Sequence, residues 1–174
     1  MSGVTIQPGD VVDGTYEIVG KLGAGGVGVV YEARHMGLDR RVALKLLKAG
    51  ATSDEESFRA RFAREAKVMS RLDHPNAVVV YDYGHHGGEL FIVMEYLEGH
   101  PLEDETGAGP VEMRRALDIG EQICDVLTVT HDMELVHRDI KPDNIFITET
   151  EQGPHATLVD FGLAFIASDQ DLDR

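Results

Sequence analysis

Chemistry in this chain is concentrated in His137-Arg138-Asp139-Ile140-Lys141-Pro142-Asp143-Asn144. These eight residues carry two carboxylates, two cations, a carboxamide, a histidine and a proline, set between the apolar runs Leu135-Val136 and Ile145-Phe146-Ile147. A polar segment pinned between buried runs is where chemistry is usually held. Pro142 has no backbone donor and biases Lys141 away from helical geometry, so the segment reads as a rigid loop entering a short strand over 144–148. Taken alone, the same residues also fit a solvated surface turn, and the rest of the chain has to decide.

Three further stretches bear on that choice. Gly23, Gly25, Gly26 and Gly28 stand in Leu22-Gly23-Ala24-Gly25-Gly26-Val27-Gly28-Val29-Val30, where missing side chains would let backbone amides approach an anion. The β-prone residues after it make this a strand–turn–strand hairpin. It lacks the helix that a dinucleotide-binding glycine motif opens and the Gly-Lys-Ser/Thr ending of a Walker loop. A flexible turn and a phosphate cradle both remain open for it. Lys45 lies in Val42-Ala43-Leu44-Lys45-Leu46-Leu47. Alternation puts Ala43, Lys45 and Leu47 on one face, so the ammonium group either meets an anion there or snorkels from an edge strand. Asp160-Phe161-Gly162 closes a strand over 155–159.

The elements that must position these groups emerge from periodicity. A polar leader over 1–14 precedes a strand beginning at Tyr16, with Gly20 interrupting its alternation. Ser53-Asp54-Glu55-Glu56 has capping-box spacing and opens a helix to about residue 72, with Phe58, Phe62, Ala66 and Met69 on its apolar stripe. Glu65 falls beside that stripe, pairing either with Lys45 or with Arg61 at helical spacing. Strands over 77–83 and 90–96 flank a turn at His85-His86-Gly87-Gly88, whose histidines have no further ligand set. Five strands and a helix thus form a small lobe over 15–96. Beyond Gly99-His100-Pro101 and the acidic Glu103-Asp104-Glu105, Pro110 opens a long helix over 111–133, with Met113, Leu117, Cys124, Leu127 and His131 as its candidate buried positions.

Composition narrows the partners. The 174 residues are 43% hydrophobic and 27% charged, with 16 Lys and Arg against 31 Asp and Glu, a formal charge of −15. Such acidity argues against nucleic acid and anionic lipid as ligands. One cysteine, Cys124, excludes an internal disulfide framework,. With no signal peptide and no apolar run of membrane-spanning length, the chain is expected to be cytoplasmic.

In order, the glycine stretch, Val42-Ala43-Leu44-Lys45, His137-Arg138-Asp139 with Asn144, and Asp160-Phe161-Gly162 resemble the eukaryotic-like (Hanks-type) serine/threonine protein kinases of bacteria,. The resemblance runs over about 16–164. It implies an α+β, bilobal kinase-like fold, with a complete N-lobe of five antiparallel strands and one helix over 15–96 and the first part of a helical C-lobe over 97–174. It also implies ATP and Mg²⁺, with Mn²⁺ as an alternative ion, and a protein substrate with a Ser or Thr acceptor.

By resemblance, backbone from Gly23, Ala24, Gly25, Gly26, Val27, Gly28 and Val29 covers the phosphates. Lys45 holds the α- and β-phosphates and Glu65 orients it. Leu22, Val30, Ala43 and Phe146 wall the adenine, Met94 gates the pocket behind it, and Glu95 and Leu97 bond its edge. Asn144 and Asp160 take the metal, Asp139 the substrate hydroxyl, and Lys141 the γ-phosphate. Met69, Val80, His137 and Phe161 resemble an apolar spine, giving His137 a packing role, and Arg138 resembles the arginine of phosphorylation-regulated kinases.

After Gly162 the sequence holds no full activation segment, no Ala-Pro-Glu-like motif and none of the later helices. The chain is therefore expected to be an N-terminal piece with little peptide-kinase activity alone. An ATP-binding pseudokinase-like or regulatory fragment is the alternative reading, followed by a small-molecule phosphotransferase of related fold and a scaffold without nucleotide.

Overall fold

A computed structural model describes residues 6–25, 28–47 and 55–161, apart from the side chains of 55–58 and 61. The expected cap at Ser53-Asp54, the turn residues Gly26 and Val27, residues 162–174, and the side chains of Phe58 and Arg61 lie outside the described residues. The described residues separate into two compact units: those up to Ser70 with Val80–Tyr96, and Arg71–Val79 with residues 97–161.

The first unit is an antiparallel sheet with one helix. Its strands are β1 (Val11–Val12), β2 (Tyr16–Ala24), β3 (Gly28–His35), β4 (Arg40–Leu47), β5 (Val80–His86) and β6 (Glu89–Glu95), and the helix is α1 (Glu55–Met69). The strand order is β1-β2-β3-β4-β6-β5. The five expected strands are present, and β1 adds a sixth from the segment expected to be a leader. Asp13 and Gly14, both at positive φ, reverse the chain so that Val11 pairs with Glu17 and Val12 with Tyr16. Ile6 and Val12 are buried in a core with Ile18, Val42, Leu44, Leu46, Phe91 and Val93.

Central β4 has residues 42–47 all buried. Alternation sends Val42, Leu44 and Leu46 to the Ile6–Val12 core, so Ala43, Lys45 and Leu47 belong to the other face,. Across β6 they pair with Met94, Ile92 and Leu90. Phe62, Ala66 and Met69 of α1 are buried without joining the first core, and Phe62 meets the Tyr83 ring edge-on at 6.0 Å. Gly87 and Gly88, at φ 58° and 87°, make the β5–β6 turn, the conformation a tight hairpin needs. His86 Nδ1 accepts the Asp13 N–H at 3.4 Å.

The second unit contains β7 (His100–Pro101), α2 (Leu102–Ala108), α3 (Met113–Asp132), a single 3-10 turn (Pro142–Asn144), β8 (Ile145–Thr150) and β9 (Gly153–Leu158). The sheet order is β7-β8-β9, and α3 packs on β9. The Glu112 carboxylate caps α3 by accepting the Arg114 and Arg115 N–H groups, both at 3.2 Å, so the helix starts after Pro110.

The buried stripe of α3 is Ile119, Ile123, Val126 and Thr130, not the one expected. Met113 and Leu117 are 73% and 64% exposed, Cys124 and His131 are exposed, and Leu127 is half-buried. The helix carries apolar residues on more than one side, and the side that meets β9 has the spacing i, i+4, i+7, i+11.

The run expected as one strand over 77–83 is divided between the units. Ala77 bridges Leu158, Leu158 N–H donates to Asn76 O at 2.8 Å and Val78 N–H to Leu158 O at 3.0 Å. The cause is Asn76, a buried carboxamide whose Nδ2 donates to Ala156 O at 2.7 Å and Gln122 Oε1 at 2.8 Å. No helix among the described residues is long and apolar enough to cross a membrane.

Candidate functional site

The octapeptide is held by its own polar groups. His137 is 1% exposed, with its ring 4.8 Å from that of Phe161. Its Nε2 lies 2.8 Å from Val159 O, and its Nδ1 accepts the Asp139 N–H at 3.3 Å. Both contacts are satisfied by one neutral tautomer, protonated on Nε2. Burial pushes the imidazole pKa below its ordinary value, against the pull of Val159 O and the Asp160 and Asp139 charges. A buried, neutral ring bonded to backbone on both sides positions the loop; it is not a proton carrier.

Asp139 is the centre of the cluster. Its Oδ2 lies 3.1 Å from Lys141 Nζ and accepts from Asn144 Nδ2 at 3.0 Å, while its carbonyl accepts from the same Nδ2 at 2.8 Å. Burial works against the Asp139 charge, but the bonds from Lys141 and Asn144 outweigh it and hold the carboxyl below its usual range. The bond to Asp139 raises Lys141, with support from the Asp143 and Asp160 charges. At neutral pH the pair is therefore a carboxylate beside an ammonium ion.

Asn144 sits in the 3-10 turn that Pro142 opens, and it is buried. Its N–H donates to Lys141 O at 3.0 Å and its carbonyl accepts the Val159 N–H at 2.9 Å. That last bond sets Asp160 next to the turn. Because Nδ2 is committed to Asp139, Oδ1 is the atom this side chain can offer a cation. Asn144 Oδ1 and the Asp160 carboxylate are hard oxygen donors of the kind Mg²⁺ takes. Arg138 and Asp160 hold positive φ, 65° and 63°, a conformation that costs a non-glycine residue about 1 kcal/mol or more and gathers at functional sites.

In the first unit, Lys45 is buried on β4, opposite Val30 on one side and Ile92 on the other. Ala43 and Met94 pair across the ladder and are both buried. Glu65 is half-buried between Phe62 and Met69 on α1. The glycine stretch is the β2–β3 hairpin, closed by Gly25 N–H to Gly28 O at 2.9 Å.

Its glycines are not equivalent. A Cβ on Gly28 would lie 2.1 Å from Leu46 O, so β4 itself requires glycine there. A Cβ on Gly23 or Gly25 would meet nothing within 4 Å, and neither residue has positive φ. Leu22, at a β-bulge, is 48% exposed. Val30 is half-buried, whereas Val29 packs its side chain on the Ile6–Val12 core and brings only backbone to the turn. Glu95, the last residue of β6, and Leu97 beyond it are half-buried, and Phe146 is half-buried on β8, paired with Pro101 and Thr157.

One charged cluster in the second unit is not foreseen from the sequence. Arg115 Nε and Nη2 each lie 2.6 Å from a Glu105 oxygen, Nη2 also lies 2.5 Å from Glu149 Oε1, and His100 Nε2 lies 2.9 Å from Glu105 Oε1. The acidic run before the long helix is its one local signal; the partners are distant in sequence.

Comparison with known proteins bears on the family and the fold. Residues 16–173 match the family model described as "Protein kinase domain". The serine/threonine-protein kinase PrkC of Bacillus subtilis is 43% identical over 157 residues, covering 90% of this chain and 24% of PrkC. The chain thus spans about a quarter of that relative's length. The crystal structure of the Mycobacterium tuberculosis PknI kinase domain superposes with a TM-score of 0.79 at 31% identity, covering 92% of this chain and 64% of that one. A structure of Rad53 1-466 in complex with AMP-PNP gives 0.73 at 28% identity, covering 86% and 38%.

Proposed function

This chain belongs to the protein kinase domain family, and on that premise we propose that it binds ATP with Mg²⁺ and supplies the nucleotide-handling part of a kinase that phosphorylates Ser or Thr hydroxyls of a protein. The observation that carries this reading is the Asp139 carboxylate held ionised between Lys141 and Asn144, over a histidine that packing keeps neutral.

Each residue has a task set by its chemistry. Asp139 orients the acceptor hydroxyl and takes its proton as the oxygen attacks. Lys141, already cationic beside it, turns to the γ-phosphate as charge builds there. Asn144 and Asp160 hold the Mg²⁺, which when bound neutralises phosphate charge. Lys45 supplies a cation from an apolar face, where its charge is little screened, and Glu65 aligns it. The bare edges at Gly23 and Gly25 support a phosphate cradle over a plain turn, because neither packing nor φ demands glycine there. Leu22, Val30, Ala43, Met94 and Phe146 supply the apolar surface for adenine, and the backbone of Glu95 and Leu97 its hydrogen bonds.

Calorimetric titration of the 174-residue chain with ATP tests this, with and without Mg²⁺. Magnesium-dependent binding that Lys45→Met and Asn144→Ala abolish is the expected result. Binding that is absent, or indifferent to both substitutions, would sink it.

A further inference from the structure

Arg115 lies outside the residues assigned to the nucleotide, yet its guanidinium is bonded to two carboxylates from two other elements. Its guanidinium forks onto Glu105 of α2 and reaches Glu149 of β8 with the same Nη2 that takes one arm of the fork. His100 of β7 adds a fourth group through Glu105 Oε1. Arg115 is about three-quarters buried, and the Glu105 carboxyl, bonded to Arg115 first and His100 second, is pulled down to about 2. A planar, two-point contact of this kind fixes direction as well as distance.

The elements so joined surround the turn that carries Asn144. α2 packs on that turn and on β8, which leaves the turn directly and bears Phe146. β7 pairs with β8 through His100 opposite Ile147, and Thr148 Oγ1 donates to Glu98 O at 2.7 Å. Gly99, at φ 148°, lies so close to β8 that a Cβ would fall 2.0 Å from Ile147 O. Removing Arg115 would leave the Glu105 and Glu149 carboxylates facing one another with no cation between them, pushing α2 away from β8 and loosening one wall of the turn.

We infer that Arg115 is a positioning residue for the metal-binding side of the catalytic loop, holding α2 against the 3-10 turn so that Asn144 keeps its aim. This rests on the proposed nucleotide-binding role. The test measures the affinity of the 174-residue chain for ADP with Mg²⁺ and with EDTA, well below the melting temperature, and takes the ratio. Arg115→Met is expected to cut the Mg²⁺ enhancement by about 10-fold, the usual scale for supports behind a metal ligand. Arg115→Lys, able to satisfy one carboxylate, recovers part of it. Glu149→Gln, at an exposed partner, costs about 2-fold,, and serves if Arg115→Met does not fold.

An unchanged ratio in Arg115→Met, even with a lower melting temperature, means a purely structural clamp and overturns the inference; so does an unchanged ratio in Glu149→Gln where Arg115→Met fails to fold. An unsubstituted chain that binds no ADP overturns the functional reading itself, a result distinct from either.

Discussion

The loop at 137–144 and the hairpin edges at Gly23, Gly25 and Gly28 are both proposed to handle phosphate, and they are built in opposite ways. In the loop the central side chains are held from inside the protein: His137 bonds backbone at both nitrogens, and Asp139 is bracketed by Lys141 and Asn144. The hairpin offers backbone and open space at Gly23 and Gly25. The first arrangement is organised before any ligand arrives, so little reorganisation is left for the chemical step. The second leaves backbone uncovered, where a ligand can approach closely,.

The largest effect should come from breaking the fixed side. Asn144→Ala removes two bonds to Asp139 and leaves a buried gap, so unfolding in urea should show a loss of about 2–3 kcal/mol,. If it is neutral, the loop is not preorganised and the contrast fails. On the cover, two alanines should separate. Gly28→Ala forces backbone apart and should cost about 1–3 kcal/mol,. Gly23→Ala should stay within about 0.5 kcal/mol of the parent in stability while weakening ATP binding several-fold, and equal melting temperatures for the two variants would erase the distinction.

Acid should loosen the loop in two stages. His137 is depressed from 6.5 and Asp139 from 3.8, so the unfolded chain binds more protons than the folded one as pH falls. The stabilisation is complete above 6.5. It declines first as His137 is forced to take a proton and again below the ordinary carboxylate range. Urea midpoints between pH 7.5 and 3 would trace both stages, and His137→Phe should flatten the first stage only. The smallest effect is expected at Ile140, which is 46% exposed within the same loop. Ile140→Thr should change stability by less than about 0.5 kcal/mol, because its neighbours' polar partners, not its own packing, hold the segment.

How much of this is legible in the sequence depends on whether the cause is local. The octapeptide, β4 and α1 declare themselves through proline, alternation and helical spacing. The buried side of α3 does not, because Met113 and Leu117 are as apolar as Ile119 and Ile123, and only contact with β9 chooses between them. Asn76 gives no local sign that it captures 76–78 for β9, because that depends on Gln122 and Ala156, 46 and 80 residues away. Arg115 and the three side chains of its cluster, Glu105, Glu149 and His100, likewise lie in four elements. Val11 and Val12 are obscured by the polar residues around them, although the positive φ of Asp13 and Gly14 folds them straight back onto β2.

That short strand has a practical consequence for anyone cutting the gene. The family match begins at residue 16, and an expression boundary drawn there would discard Ile6 and Val12. It would uncover the apolar face around Ile18, Leu44 and Phe91, and exposed apolar surface of that kind invites aggregation. The packed core begins about ten residues before the recognisable domain does.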